Sequence, residues 1–166
     1  MSDILRLFFG LILLTATLTA YFLVVSAFFA DRVARTQSVI HQMPGRSFGV
    51  GFVNFLFFGV ILLVLLTLTD GNRVPDLLRV ILFIPTFILF AFLAVFLSFG
   101  LAGMVHVLGD RLFPDQSALR KTVLSTIILS FACALPFVGW FLLLPYIAFS
   151  GFGAVILGLL QRENKI

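Results

Sequence analysis

From Thr122 to Leu160 the chain reads TVLSTIILSFACALPFVGWFLLLPYIAFSGFGAVILGLL, 39 residues without an Asp, Glu, Lys or Arg. An α-helix needs about 20 apolar residues to cross the hydrocarbon core of a bilayer. The run is therefore nearly two crossings long, and its middle, Leu135-Pro136-Phe137-Val138-Gly139-Trp140, offers the break. Pro followed three residues later by Gly is a turn signal, and Trp favours the headgroup level. The stretch predicts a helical hairpin, with arms 118–135 and 140–161 around a four-residue turn.

The same reading extends toward the N-terminus. A polar stretch, Gly109 to Lys121, precedes the hairpin. Before it, Leu77–Val107 is longer than one crossing requires, so it should tilt, kink or protrude. Pro85 falls within its first turns, where the missing N–H costs least. Phe48–Thr69 forms another span, closed by the turn sequence Asp70-Gly71-Asn72. Arg6 stands ahead of Leu7–Ala30, 24 uncharged residues, where a cleavable signal carries an apolar region of about 7–15. That run is expected to be the first span, from about Ile4 to Ala30, with Met1 the start of the mature chain. In the connector Asp31–Arg46, Val33, Ile40 and Met43 recur near helical spacing opposite Arg32, Arg35 and Gln42. This suggests a short interfacial helix over 32–43, stopped by Pro44-Gly45; a plain polar loop is the alternative.

Composition points the same way. Of 166 residues, 61% are hydrophobic, 22 are Phe and only 11% are charged, against about 25% in soluble domains. A soluble fold this apolar could not cover its surface. The expected architecture is all-α: a single integral membrane domain over 1–166, a polytopic bundle of five membrane segments, with four spans plus a re-entrant hairpin as the variant. The lone Cys133 cannot pair within the chain. The net charge of +4 lacks the clustered Lys/Arg with aromatics that would indicate nucleic acid.

Charge placement gives an independent count. With five crossings, Arg32, Arg35, Arg46, Arg111, Arg120, Lys121, Arg162 and Lys165 share one side, eight against the three of Arg6, Arg73 and Arg79. Four crossings would divide them six to five, which orients nothing. The positive-inside rule thus favours five segments, with the N-terminus outside and the C-terminus cytoplasmic, in an inner (plasma) membrane.

Membrane enzymes and ion carriers need ionisable groups at depth, and such groups usually mark function because hydrocarbon penalises them. Here all eighteen Asp, Glu, Lys and Arg lie at span ends or in connectors. No catalytic or metal residues are therefore expected, and no cofactor. His41 and His106 are the weak candidates for a metal or haem ligand, with interfacial polar residues as the plainer account. Cys133 sits among apolar neighbours and reads as a small packing residue; Ser125, Ser130 and Ser150 have no basic partner in their runs. Asn54 is the strong hydrogen-bonding side chain within a span, and helix–helix adhesion is its expected role. Thr15, Thr17 and Thr19 can bond to their own helix carbonyls. Two small-residue stripes, Thr126/Ser130/Ala134 and Ser150/Ala154/Gly158, would let the hairpin arms approach closely, with Pro136 and Gly139 reversing the chain and Trp140 at the headgroups.

Several segments occur in a familiar order: Arg32-Val33-Ala34-Arg35 through Pro44 and Gly51, then Leu108-Gly109-Asp110-Arg111-Leu112, then Leu135–Trp140 and the Gly151–Gly158 region. This order resembles an uncharacterised bacterial polytopic membrane module, similar to the membrane region associated with bactofilin-type polymer-forming proteins. The resemblance covers most of the chain from about Leu11 and implies a membrane anchor or scaffold with a hairpin-like end. No polar stretch exceeds about 16 residues, so any soluble partner is expected from another chain.

The function expected from these features is a non-catalytic anchor, scaffold or small accessory subunit of a membrane complex. Its partners would be the lipid bilayer and other membrane chains or further copies of itself. The alternative is a transporter or channel component whose helices are broken at Pro85, Pro136 and Pro145.

Overall fold

A computed structural model describes residues 2–70 and 75–163. The expected turn at Gly71-Asn72, and the basic Arg73 and Lys165, lie outside the described residues. The elements are α1 (Ser2–Phe28), α2 (Ala30–Gln42), α3 (Pro44–Asp70), α4 (Asp76–Leu112), α5 (Ala118–Ala134), a π-helical segment Val138–Leu143, and α6 (Leu144–Glu163). Helices are the natural outcome for runs this apolar, because in hydrocarbon each backbone N–H and C=O must find its partner within the segment.

Among the described residues four helices are long and apolar enough to cross a membrane: Phe8–Phe28, Pro44–Thr69, Leu77–Leu112 and Val138–Leu160. The arm expected at 118–135 forms α5, whose 17 residues reach about 25 Å at 1.5 Å per residue. It is thus shorter than the other four.

Local sequence sets the helix boundaries. Phe29 leaves helical geometry (φ −125°, ψ 38°) and separates α1 from α2. Pro44 opens α3 rather than merely ending α2, since a proline at a first helical position loses no bond the helix would have made. α3 therefore begins four residues before the expected Phe48. α4 begins at Asp76, one residue from the expected start, and Pro85, its tenth residue, lies inside the helix, beyond the first turn in which a missing N–H costs least. α2 has the expected amphipathic character. Val33 and Ile40 are buried and Met43 half-buried, while Arg32, Arg35 and Gln42 are exposed. Its apolar face packs on α4 and α6, so α2 is part of the bundle.

At the expected hairpin turn the backbone departs from expectation. Gly139 was the natural residue for a positive φ, yet no described glycine has one; Phe137 takes φ 67° and ψ −67° instead. The Val138 N–H donates to the Pro136 carbonyl at 2.9 Å, which closes a classic-type γ-turn around Phe137. Gly139 matters for space. A Cβ there would collide with the carbonyl oxygens of Ala132 and Cys133 as the chain folds back.

The expected meeting of the two arms along their small-residue stripes does not occur; the π-helical start of the second arm touches α5 beside the turn. α5 and α6 make almost no contact with each other, and α4 packs against both. α5 turns instead to α1 and α4, burying Thr122, Ser125 and Thr126; along its stripe Ser130 is half-buried and Ala134 exposed. α6 is taken up by α3 and α4. The reason is a pair of closer fits. Gly153 lies against the backbone of Ser47 and Gly51 on α3, and Gly151 lies against Gly100 on α4, so close that no Cβ fits. Phe152, between the two glycines, is completely buried. A run of aromatic contacts extends this centre, from Phe48, Phe52 and Phe55 through Phe149 and Phe152 to Phe96 and Phe92.

Candidate functional site

The polar groups gather around the last turns of α4, residues 98–110. Asp110 accepts hydrogen bonds from Gln37 Nε2 on α2 and from Lys121 Nζ on α5, the latter an ion pair at 2.8 Å. One turn earlier His106 Nε2 shares a hydrogen bond of 2.8 Å with Ser26 Oγ on α1. Further along, Tyr21 on α1 donates to Ser98 Oγ at 2.6 Å, and Ser98 donates to the Ala94 carbonyl at 2.8 Å. One helix thereby ties three others. The bonds from Tyr21, Ser26 and Gln37 reach 73–80 residues along the chain and that from Lys121 joins α5 to α4, so the network fixes relative position.

Beside this network is a cavity of about 430 Å³ between the α1–α2 junction, α4 and α6. Phe28, Phe29, Phe99, Val155 and Leu159 give it an apolar wall, and Asp31, Arg32, Arg35 and Thr36 a polar one. Thr36 Oγ1 is committed to the Arg32 carbonyl at 2.9 Å. A second cavity, about 230 Å³, lies between Pro44, Gly45, Phe48 and Tyr146.

The residues singled out from the sequence distribute as follows. His106 is half-buried with Ser26 as its partner, and His41 is exposed on the last turn of α2. Among the described residues no three His, Cys, Asp or Glu converge as metal ligands would. Asn54 does not reach across to another helix. Its Nδ2 donates to the Val50 carbonyl of its own helix at 2.8 Å, because that acceptor lies within reach one turn back. Thr15, Thr17 and Thr19 likewise donate to Leu11, Leu13 and Thr15 carbonyls. Ser150 and Ala154 are completely buried, facing other helices rather than α5, and Gly158 lines the larger cavity. Ser150 Oγ is buried without a hydrogen-bond partner. Pro136 and Trp140 are exposed at the turn.

None of the protein-family models, curated proteins or solved structures compared with this chain matches it. Its function must be read from its own residues.

Sequence reasoning missed the Arg32–Arg35 cavity and the Gly151–Gly153 crossing. The first had a signal: two arginines three apart, shortly after Phe28-Phe29. The cavity's far wall, Val155 to Leu159, comes from more than a hundred residues away and has no sequence mark.

Proposed function

We propose that this chain is a non-catalytic integral membrane protein, an anchor, scaffold or small accessory subunit around which a larger membrane complex assembles. The observation that carries this reading is the division of labour among its side chains. Asp110, Lys121, Gln37, Ser26 and His106 hold helix to helix. Large apolar side chains cover the outside of α1, α3 and α4, among them Phe8, Phe9, Phe57, Phe83 and Phe87. Such a surface suits lipid and other membrane helices, and groups placed for proton or ion transfer would be expected at depth instead. The motif order resembling a bactofilin-associated membrane module fits the same role.

The arrangement we propose has five membrane segments in an inner membrane, N-terminus outside and C-terminus cytoplasmic. The basic residues support it through the positive-inside rule. The short α5 and the γ-turn at Phe137 would also suit a re-entrant hairpin, which leaves the C-terminus on the same side.

Solubilising the tagged chain from its native membrane in a mild detergent tests the reading. A stoichiometric membrane partner, or a defined oligomer of the chain itself, is the expected result. Proton- or sodium-coupled flux by the purified protein in liposomes would replace this reading with the transporter alternative.

A further inference from the structure

The 430 Å³ cavity combines features that the anchoring role does not require. Arg32 and Arg35 stand on successive turns of α2, both exposed, and no carboxylate among the described residues pairs with either guanidinium. Guanidinium groups bind phosphate oxygens through paired N–H donors. The start of α2 adds positive partial charge from its aligned peptide dipoles. The opposite wall is hydrocarbon, from Phe29, Phe99 and Leu159. Phe28, beside it, is 80% exposed, so the cavity opens where the lipid-facing surface of α1 gives way to the polar connector. A ligand that is phosphate at one end and hydrocarbon at the other matches both walls.

Asp31 refines the class of headgroup. It lines the same cavity, so the wall carries two positive charges and one negative. The net single positive charge suits a phosphodiester headgroup with one negative charge, and the Asp31 carboxylate can accept from headgroup hydroxyls.

We propose that this cavity is a binding site for an anionic glycerophospholipid of the phosphatidylglycerol type. Arg32 and Arg35 hold the phosphodiester, Asp31 accepts from the glycerol hydroxyls, and one acyl chain lies along Phe29, Phe99 and Leu159. The site does not depend on whether the protein is a scaffold or a transporter, only on its lying in a membrane.

The test uses the full-length chain, purified in mild detergent, with native mass spectrometry and thermal stability as readouts. Palmitoyl-oleoyl phosphatidylglycerol, phosphatidylcholine and phosphatidylethanolamine are added separately, with inorganic phosphate at matched ionic strength as a fourth arm. Phosphatidylglycerol should be retained at one-tenth or less of the concentration the other two lipids need, and should raise the melting temperature where inorganic phosphate does not. R32Q/R35Q should erase that preference; both positions are exposed, so the fold should survive. R46Q/R120Q removes the same charge elsewhere on the exposed surface and should preserve the preference.

Equal retention of phosphatidylglycerol and phosphatidylcholine would overturn the proposal. So would phosphatidylethanolamine binding as tightly, full stabilisation by inorganic phosphate, or equal losses in the two double variants, which would mean diffuse attraction in place of a site.

Discussion

Substituting Gly151 by Ala tests the centre of the bundle with the smallest possible change. A Cβ built on Gly151 would lie 2.6 Å from the Gly100 carbonyl carbon and 2.8 Å from its Cα. Nonbonded carbons rest at about 3.5–4.0 Å, so α4 and α6 would have to separate by about 1 Å. Backbone atoms cannot turn aside as a side-chain tip can. A gap of that size forfeits about a quarter to a half of each dispersion contact across the interface. The loss would extend to Phe152, completely buried, and to its contact with Phe96. Overpacking of this kind costs about 1–3 kcal/mol, and the better helix propensity of Ala returns up to about 1 kcal/mol. A net destabilisation of about 1–2 kcal/mol is expected for Gly151→Ala. Gly158→Ala is the control on the same helix: its Cβ would meet nothing closer than 3.9 Å, so it should be neutral or slightly stabilising. Unfolding by increasing SDS fraction in mixed micelles, followed by circular dichroism, measures both. If Gly151→Ala proves as harmless as Gly158→Ala, α4 and α6 do not cross at Gly100 and Gly151, and the packing described above is wrong.

Asn54→Ala should change stability by no more than about 0.5 kcal/mol, because the side chain bonds only to its own helix and Ala is the stronger helix former; the same SDS titration would expose a loss above 2 kcal/mol as an interhelical bond. A double-mutant cycle on Asp110→Ala and Lys121→Ala should give a coupling of about 0.5–1 kcal/mol that shrinks in high salt, since the pair is partly exposed to solvent. In a Cys133→Ser background, single cysteines at Arg35, Gln116 and Lys165 should label from the cytoplasmic side and one at Asn72 from the outside; periplasmic labelling at Lys165 would reject the proposed orientation.

What the residues disclose unaided is anything governed by nearest neighbours and solvent. The uncharged runs dictate apolar helices, since no other backbone conformation satisfies its own hydrogen bonds in hydrocarbon. The alternation of Val33 and Ile40 with Arg32 and Arg35 marks an amphipathic α2 with a buried apolar face, and the structure buries both. Thr15, Thr17 and Thr19 find partners within their own helix, so those bonds too were legible. Tertiary structure decided which faces meet. Ser150/Ala154/Gly158 and Thr126/Ser130/Ala134 looked complementary, but a small-residue stripe can fit many partners and carries no address. Gly51, Gly100, Gly151 and Gly153 offered closer backbone approach, and that took α6 to α3 and α4. Phe137 holds its positive φ because the path between α5 and α6 requires it, not because phenylalanine favours it. Likewise Asp110 acquires Gln37, and Arg32 and Arg35 acquire an apolar wall opposite, only once segments distant in sequence have packed. Local propensity and hydropathy act along the chain; contact selectivity arises between segments, from shapes that no single segment contains.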